Sequence, residues 1–156
     1  MRYLLIRHGK TDANRMTRAA YGQAGAPLND LGIDQASRLR QQLQDRGIDL
    51  NSEFVAVSEL LRTQQTAHYA GCQQQVVSAL LNEVNTNNPA ATTALVEKGM
   101  VPDEALVVAR KLLSNPPKQR IWFTHGLVIA AVVAELRHIA PTGTVPNFCE
   151  IVEIEI

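Results

Sequence analysis

Four polar clusters stand where short apolar runs stop. Arg7-His8-Gly9 follows residues 3–6, Ser58 with Arg62 beyond it follows 54–57, Glu83 follows 76–80, and His125-Gly126 follows 120–124. In open α/β sheets ligands bind outside the carboxyl ends of the strands. If those ends are neighbours, His8, His125, Arg7, Arg62 and Glu83 share one pocket. Two guanidinium groups facing one another repel unless an anion lies between them. Their planar forks pair bidentately with phosphate oxygens, so a phosphoryl group is the anion this set suits. Gly9 and Gly126 are expected to let the backbone turn sharply and approach that ligand closely. The helix after Gly126 would add its N-terminal amides and the positive end of its dipole.

The elements that must hold these residues follow from the apolar pattern. Residues 3–6 form a continuous apolar run, as in a central strand buried on both faces. Residues 10–26 are polar and rich in Gly and Ala without a sustained period, which reads as a long functional loop. Asn29 or Asp30 offers a helix cap, and Ile33, Ala36, Leu39 and Leu43 recur at helical spacing up to Gly47. Residues 54–57 form a second strand, and Ser58 is placed to cap a helix over 59–69. A third strand is expected over 76–80. The stretch 84–101 is loop-like, with a short helix near Leu95. Pro102 and Asp103 open a helix with Leu106, Ala109 and Leu113 on one face, stopped by Asn115-Pro116-Pro117. Residues 120–124 form the fourth strand, and 127–136 a helix apolar nearly all round, hence buried core. The last segment, CEIVEIEI, alternates as a strand with one face partly in water. Strands alternating with helices predict an α/β sandwich, helices on both faces of a mostly parallel sheet, in one domain over 1–156.

Composition narrows the partners. Lys plus Arg equals Asp plus Glu at 15 each, so no overall basic field attracts nucleic acid or an anionic membrane. Any anion selectivity must come from a local cluster of cations. Cys72 and Cys149 form no CxxC pair, which argues against a disulfide framework or a zinc site. His68 and His138 match no ligand spacing with His8 and His125, so no metal is expected. The start MRYLLIRH lacks a signal-peptide pattern and the longest apolar run is too short to span a bilayer, so the expected location is cytoplasmic.

Taken together, RHGKTDAN at 7–14, PLNDLG at 27–32, SELLRTQQTA at 58–67, Glu83 and THG at 124–126 resemble the histidine phosphatase superfamily, whose branches include phosphoglycerate mutase-like enzymes. The resemblance implies a three-layer α/β/α sandwich whose mostly parallel sheet carries one antiparallel strand; the C-terminal segment is the candidate. It also implies roles. His8 matches the nucleophile that carries the phosphoryl group as phosphohistidine. Arg7, Arg62 and His125 match the phosphate-binding set, Asn14 a further phosphate contact, and Glu83 the acid that protonates the leaving oxygen. No cofactor is implied. The expected activity is metal-independent hydrolysis of a phosphomonoester, on a small phosphorylated molecule or a phosphoprotein. A mutase-like phosphoryl transferase, a protein phosphohistidine phosphatase and a non-catalytic phosphate-binding module are the rival readings.

Three positions depart from the family pattern. Lys10 stands where glutamate is common, either favouring an acidic substrate or facing solvent. Glu59 replaces a frequent proline, a change expected to be harmless. The segment after Glu83 is short, whereas family mutases carry longer insertions there, and this favours hydrolysis. Arg15 and Arg18 are expected to be solvated loop charges, and Tyr21 a substrate contact. Plainer readings exist for each site residue: His8 and His125 as satisfied core histidines, Arg7 and Arg62 as ordinary ion-pair residues, Glu83 as a surface carboxylate, Asn14 as a loop or cap residue. The joint occurrence of the motifs is what argues against them.

Overall fold

A computed structural model describes residues 1–12, 24–84, 98–137 and 145–156. Among these the element order is β1 (Arg2–Arg7), α1 (Asp30–Asp45), β2 (Phe54–Val57), α2 (Leu61–Tyr69), β3 (Gln74–Val77), a 3₁₀ turn (Ala79–Leu81), α3 (Asp103–Ser114), β4 (Ile121–Thr124), α4 (Gly126–Arg137) and β5 (Ile151–Glu155). The strands form one sheet in the order β3-β2-β4-β1-β5. β1 runs parallel to β4, and β2 parallel to β3 and β4. β5 lies antiparallel on β1, with Tyr3 opposite Ile154 and Leu5 opposite Val152. The sheet is therefore mostly parallel with its C-terminal strand reversed, as the resemblance implies.

Strand geometry sends alternate side chains to opposite faces, and both faces are covered. Tyr3, Leu5, Ala56 and Trp122 pack with α3 and α4 through Ala105, Ala109, Leu112, Val128 and Ile129. Leu4, Ile6, Val55, Val57, Ile121 and Phe123 pack with α1 and α2 through Ala36, Leu39, Leu43 and Ala67. Two cores on one sheet make the three-layer sandwich. Burial on both faces explains why β1 and β4 are continuous apolar runs rather than alternating ones. Leu5, Ile6, Trp122 and Phe123 are fully buried, each stabilising the fold by about 1.5–3 kcal/mol. α4 is buried over most of its circumference, in keeping with its sequence.

Several boundaries differ from expectation for identifiable reasons. Asn29 does cap α1, its Oδ1 accepting the Gly32 N–H at 2.8 Å. Ser58 does not cap α2. Leu60 is the cap residue there, and the serine hydroxyl turns into the molecule instead. β3 begins two residues earlier than its apolar run and ends at Val77, because Gln74 and Gln75 pair with Phe54 and Val55 on an exposed sheet edge. The remainder of that run forms the 3₁₀ turn, tied by the Ser78 N–H to the Val57 carbonyl at 2.8 Å. In α3 the deeply buried positions are Ala105, Ala109 and Leu112, with Leu106 and Leu113 beside them. The helix expected near Leu95 falls outside the described residues. No helix among the described residues is long and apolar enough to cross a membrane.

Candidate active site

β1 and β4 are adjacent and parallel, yet the helices that follow them leave on opposite faces: α1 belongs to one core and α4 to the other. That divergence opens a crevice beyond the strand ends. His8 and His125 sit in it, each one residue past its strand, with ring centroids 5.3 Å apart. Arg7 and Thr124 are register partners just below, and the His8 N–H donates to the Thr124 carbonyl at 3.1 Å. Arg62 arrives from the first turn of α2 and Glu83 from the residues after the 3₁₀ turn. The five residues read from strand ends thus converge. Asn14, with Arg15, Arg18, Tyr21 and His138, lies outside the described residues.

His8 is buried at 6% exposure and fixed in one tautomer. Its Nδ1 lies 2.7 Å from the Gly9 carbonyl. A carbonyl only accepts, so the ring hydrogen is on Nδ1. The Arg62 Nε–H donates to His8 Nε2 at 3.3 Å, which requires a lone pair on that nitrogen. Burial, and then the Arg62 and Arg7 charges, push the imidazole down to about 3 from an ordinary 6.5, against the pull of the Gly9 carbonyl. His8 is neutral at physiological pH, with Nε2 presented to the pocket side.

Arg7 is held from below. Its guanidinium lies 4.0 Å over the Phe148 ring, and Nη1 donates to the Pro146 carbonyl at 2.8 Å. Cys149 adopts a left-handed backbone (φ 58°), and its N–H donates to the Arg7 carbonyl at 2.9 Å, which seats Phe148 under the cation. The Cys149 thiol is pushed up to about 12 by burial, so it is an inert core group. Arg62 Nη2 stands 4.0 Å from Glu83 Oε2. Burial lowers both arginines from their usual value, with Glu83 opposing it, but each starts so high that it stays charged.

His125 is fully buried. Its Nε2 is 3.0 Å from Ser58 Oγ, and its Nδ1 is 3.7 Å from Glu83 Oε2. Burial, then the charges of Arg62 and Arg7 and the neighbouring His8 ring, hold it well below the usual histidine range. Ser58 Oγ also accepts the Leu60 N–H at 3.2 Å and meets Thr63 Oγ1 at 2.7 Å. Glu83 takes the Val84 N–H on Oε1 at 3.0 Å. Burial raises its carboxyl above the ordinary range, outweighing the Val84 amide and the Arg62 and Arg7 charges. The side chain keeps 37% exposure, which tempers that desolvation.

The glycines work differently from expectation. A Cβ on Gly9 would lie 2.7 Å from the Gly32 carbonyl oxygen, and one on Gly126 would collide with Val145 and come 3.0 Å from Arg7 Nε. Their missing side chains make room for protein. The residues that sequence reasoning missed are those that hold the convergent set. Thr66 Oγ1 accepts the Gly9 N–H at 2.9 Å and reaches the Arg62 carbonyl at 2.6 Å. Ser58 and Thr63 brace His125, and Phe148 carries Arg7. Thr63 and Thr66 stand three apart in the SELLRTQQTA stretch, a spacing that puts both on one helix face beside Arg62. Nothing in the sequence signals Phe148. Lys10 is exposed, which leaves it facing solvent. His68 is exposed on α2, and the described residues hold no cluster of three or more His, Cys, Asp or Glu placed to share a metal ion.

Chemically, the crevice combines a neutral imidazole lone pair, two cations and a carboxyl of raised proton affinity. Two buried polar atoms in it, Arg7 Nε and His125 Nδ1, have no hydrogen-bond partner among the described residues. Comparison with known proteins agrees with this content. The chain is 39% identical over 85 residues to the adenosylcobalamin/alpha-ribazole phosphatase of Escherichia coli (strain K12), a match covering 54% of this chain and 39% of that protein. It is 41% identical over 63 residues to the probable phosphoglycerate mutase GpmB of Yersinia pestis (strain Pestoides F), covering 40% of this chain and 27% of that protein. These matches thus span less than half of either relative. In three dimensions the whole chain superposes on 91% of a putative alpha-ribazole-5'-P phosphatase from Escherichia coli at a TM-score of 0.70 and 22% identity, a likeness of fold. The sequence model of the histidine phosphatase superfamily (branch 1) matches residues 3–98, well over half of the chain, and the chain belongs to that family.

Proposed function

We propose that the chain hydrolyses a phosphomonoester of a small molecule through a phosphohistidine formed on His8. The observation that carries this reading is the pair of buried nitrogens, Arg7 Nε and His125 Nδ1, that have no partner among the described residues and lie beside a neutral His8. A buried polar group without a partner costs about 1–3 kcal/mol, and a phosphoryl oxygen would satisfy each. The Ser58 hydroxyl lies within reach of both Thr63 Oγ1 at 2.7 Å and His125 Nε2 at 3.0 Å; in this reading a bound anion draws its hydrogen to His125 Nε2. That leaves the His125 hydrogen on Nδ1, directed at the anion. With both histidines neutral and Glu83 protonated, the arginines give the pocket a double positive charge matched to a phosphate dianion.

The steps follow from the protonation states. His8 Nε2 attacks phosphorus and the bond to the ester oxygen breaks, while Arg7 and Arg62 stabilise the charge on the equatorial oxygens. Arg62 leaves His8 Nε2 to do so. Glu83 gives its proton to the departing oxygen. The Nδ1–H to Gly9 bond strengthens as the ring gains positive charge. Water then attacks the phosphohistidine, Glu83 takes its proton, and inorganic phosphate leaves with His8 restored. The arginines supply the charge stabilisation, so the reaction proceeds without a metal. Asn14 completes the phosphate contacts in this reading.

Hydrolysis of an aryl phosphate in the presence of a chelator tests the reading. Turnover should persist, and His8→Ala should reduce it by at least about a thousandfold. Equal activity in His8→Ala overturns the mechanism. Phosphoryl retention on a second site of a small-molecule substrate would mark a mutase instead.

A further inference from the structure

Glu83 has a weakness as a proton donor: among the described residues little holds its side chain. Its hydrogen bond is to the amide of the next residue, and Arg62 and His125 stand at 4.0 and 3.7 Å, beyond hydrogen-bond reach. Its position therefore depends on the backbone of the residues beside it. Upstream that backbone is secured to the sheet, where the Thr124 hydroxyl donates to the Leu81 carbonyl at 2.8 Å. Between that anchor and Glu83 stands Asn82, and its amide is bound at both ends by one residue. The Glu59 N–H donates to Asn82 Oδ1 at 2.8 Å, and Asn82 Nδ2 donates to Glu59 Oε1 at 2.7 Å. Glu59 sits between Ser58, which braces His125, and the first turn of α2, which carries Arg62.

We infer that Asn82 and Glu59 form a clamp that positions the Glu83 carboxyl against His125 and Arg62. Both are positioning residues, since neither reaches the reacting atoms. The clamp joins the loop that carries the acid to the residues leading into α2, whose first turn carries the phosphate-binding cation. Both of its bonds depend on residue 59: one uses its backbone N–H, which proline lacks, and the other its side-chain oxygen. In this reading glutamate at 59 has a role of its own, where the loss of the frequent proline was expected to be harmless. Among the described residues the charged and titratable groups facing Glu83 are Arg62, Arg7 and His125. Releasing the clamp lets the carboxyl drift from these groups into water.

The kinetic side of the test rests on Glu83 having the role proposed above; the titration side does not. Carbon-detected NMR titration of Glu83 should show its midpoint falling toward the ordinary carboxyl range in Asn82→Ala and in Glu59→Pro. Glu59→Gln, which keeps both the N–H and a side-chain acceptor, should stay near wild type. On an aryl phosphate, Asn82→Ala and Glu59→Pro should lower kcat about tenfold, a fraction of the 10²–10⁴ that a positioned acid contributes, with KM nearly unchanged. The Glu59→Ala and Asn82→Ala losses should be strongly non-additive in the double variant. Should Glu59→Pro fail to fold, Asn82→Ala and this cycle carry the test. An unmoved Glu83 titration in Asn82→Ala overturns the clamp, as does a lower melting temperature with kcat and titration intact. A shifted titration in a chain without phosphatase turnover keeps the clamp and sinks the phosphatase reading.

Discussion

His8 shows how one residue's surroundings set both reactivity and stability. In the unfolded chain its imidazole titrates at the ordinary 6.5, and in the folded chain burial and two arginines hold it at about 3. Between those values the unfolded state binds a proton that the folded state refuses, so stability falls as pH falls through this window. At pH 5 this single residue costs about 2 kcal/mol relative to neutral pH, and His125, shifted the same way, adds to the loss. Urea unfolding of His8→Asn at pH 7.5 and pH 5 should reveal it. The variant should lose less stability on acidification than the wild type, by about that amount, whereas parallel losses would mean His8 is protonated in the fold. The environment that destabilises the acid form is the one that keeps a lone pair on Nε2, as the proposed attack requires. Arg7 is equally particular. Lysine at this position would keep a charge but lose the stack on Phe148 and the second fork nitrogen. Arg7→Lys should therefore raise KM for an aryl phosphate by about tenfold or more, one lost charge-assisted hydrogen bond being worth about 1.5–3 kcal/mol.

At the scale of elements, the start of α4 and the turn after β1 place these groups by close approach. A methyl at residue 126 would press on Val145 and on Arg7 Nε, and the chain at 9 lies against the Gly32 carbonyl. Overpacking of this kind typically costs about 1–3 kcal/mol. Gly126→Ala should lower the unfolding free energy by that order and raise KM as well, because one of the two side chains it meets is Arg7, which holds the phosphate in the proposed mechanism. A stability loss with KM intact would show that Val145 alone gives way. Thr66→Val tests the other side: it removes the acceptor for Gly9 N–H and the link to the Arg62 carbonyl, an expected loss of about 1–3 kcal/mol. These contacts also mark where the sequence stops being readable. The strand ends carrying Arg7, His8, Ser58 and His125 were legible because two-sided burial writes continuous apolar runs that stop abruptly. The exposed edge strand β3 carries no such signature in Gln74 and Gln75. Ser58 was mistaken for a cap because cap and brace use the same hydroxyl chemistry; only the three-dimensional neighbour decides between them. Gly9 and Gly126 were recognisable as tight places, but sequence does not say whether ligand or backbone fills the space.

Across the whole molecule, the crevice lies where the two cores part, and its residues draw on both. His125 leads into α4, packed in one core, while Arg62 and Thr66 ride on α2, packed in the other. This follows from strand order, which the apolar pattern of separate segments does not encode; the α/β class was readable, the reversed last strand came with the family resemblance, and the adjacency of β1 and β4 was not readable. An anion bound by Arg7, Arg62 and His125 would tie together strands and helices of both layers, so its binding should be felt by global unfolding. Binding to the folded state alone adds RT ln(1 + [L]/Kd), about 2.7 kcal/mol at a hundredfold excess over Kd. For a chain of 156 residues that corresponds to a rise in melting temperature of about 5–10 °C. Inorganic phosphate at saturating concentration should produce such a rise, and matched sulfate-free chloride should not. Because the chain carries 15 cationic and 15 acidic residues, no general surface field would mimic the effect. Arg62→Ala should abolish most of the rise while leaving the melting temperature without phosphate near or above wild type, since the substitution also removes a charge desolvated beside Arg7. An equal phosphate response in Arg62→Ala would place the anion elsewhere on the molecule.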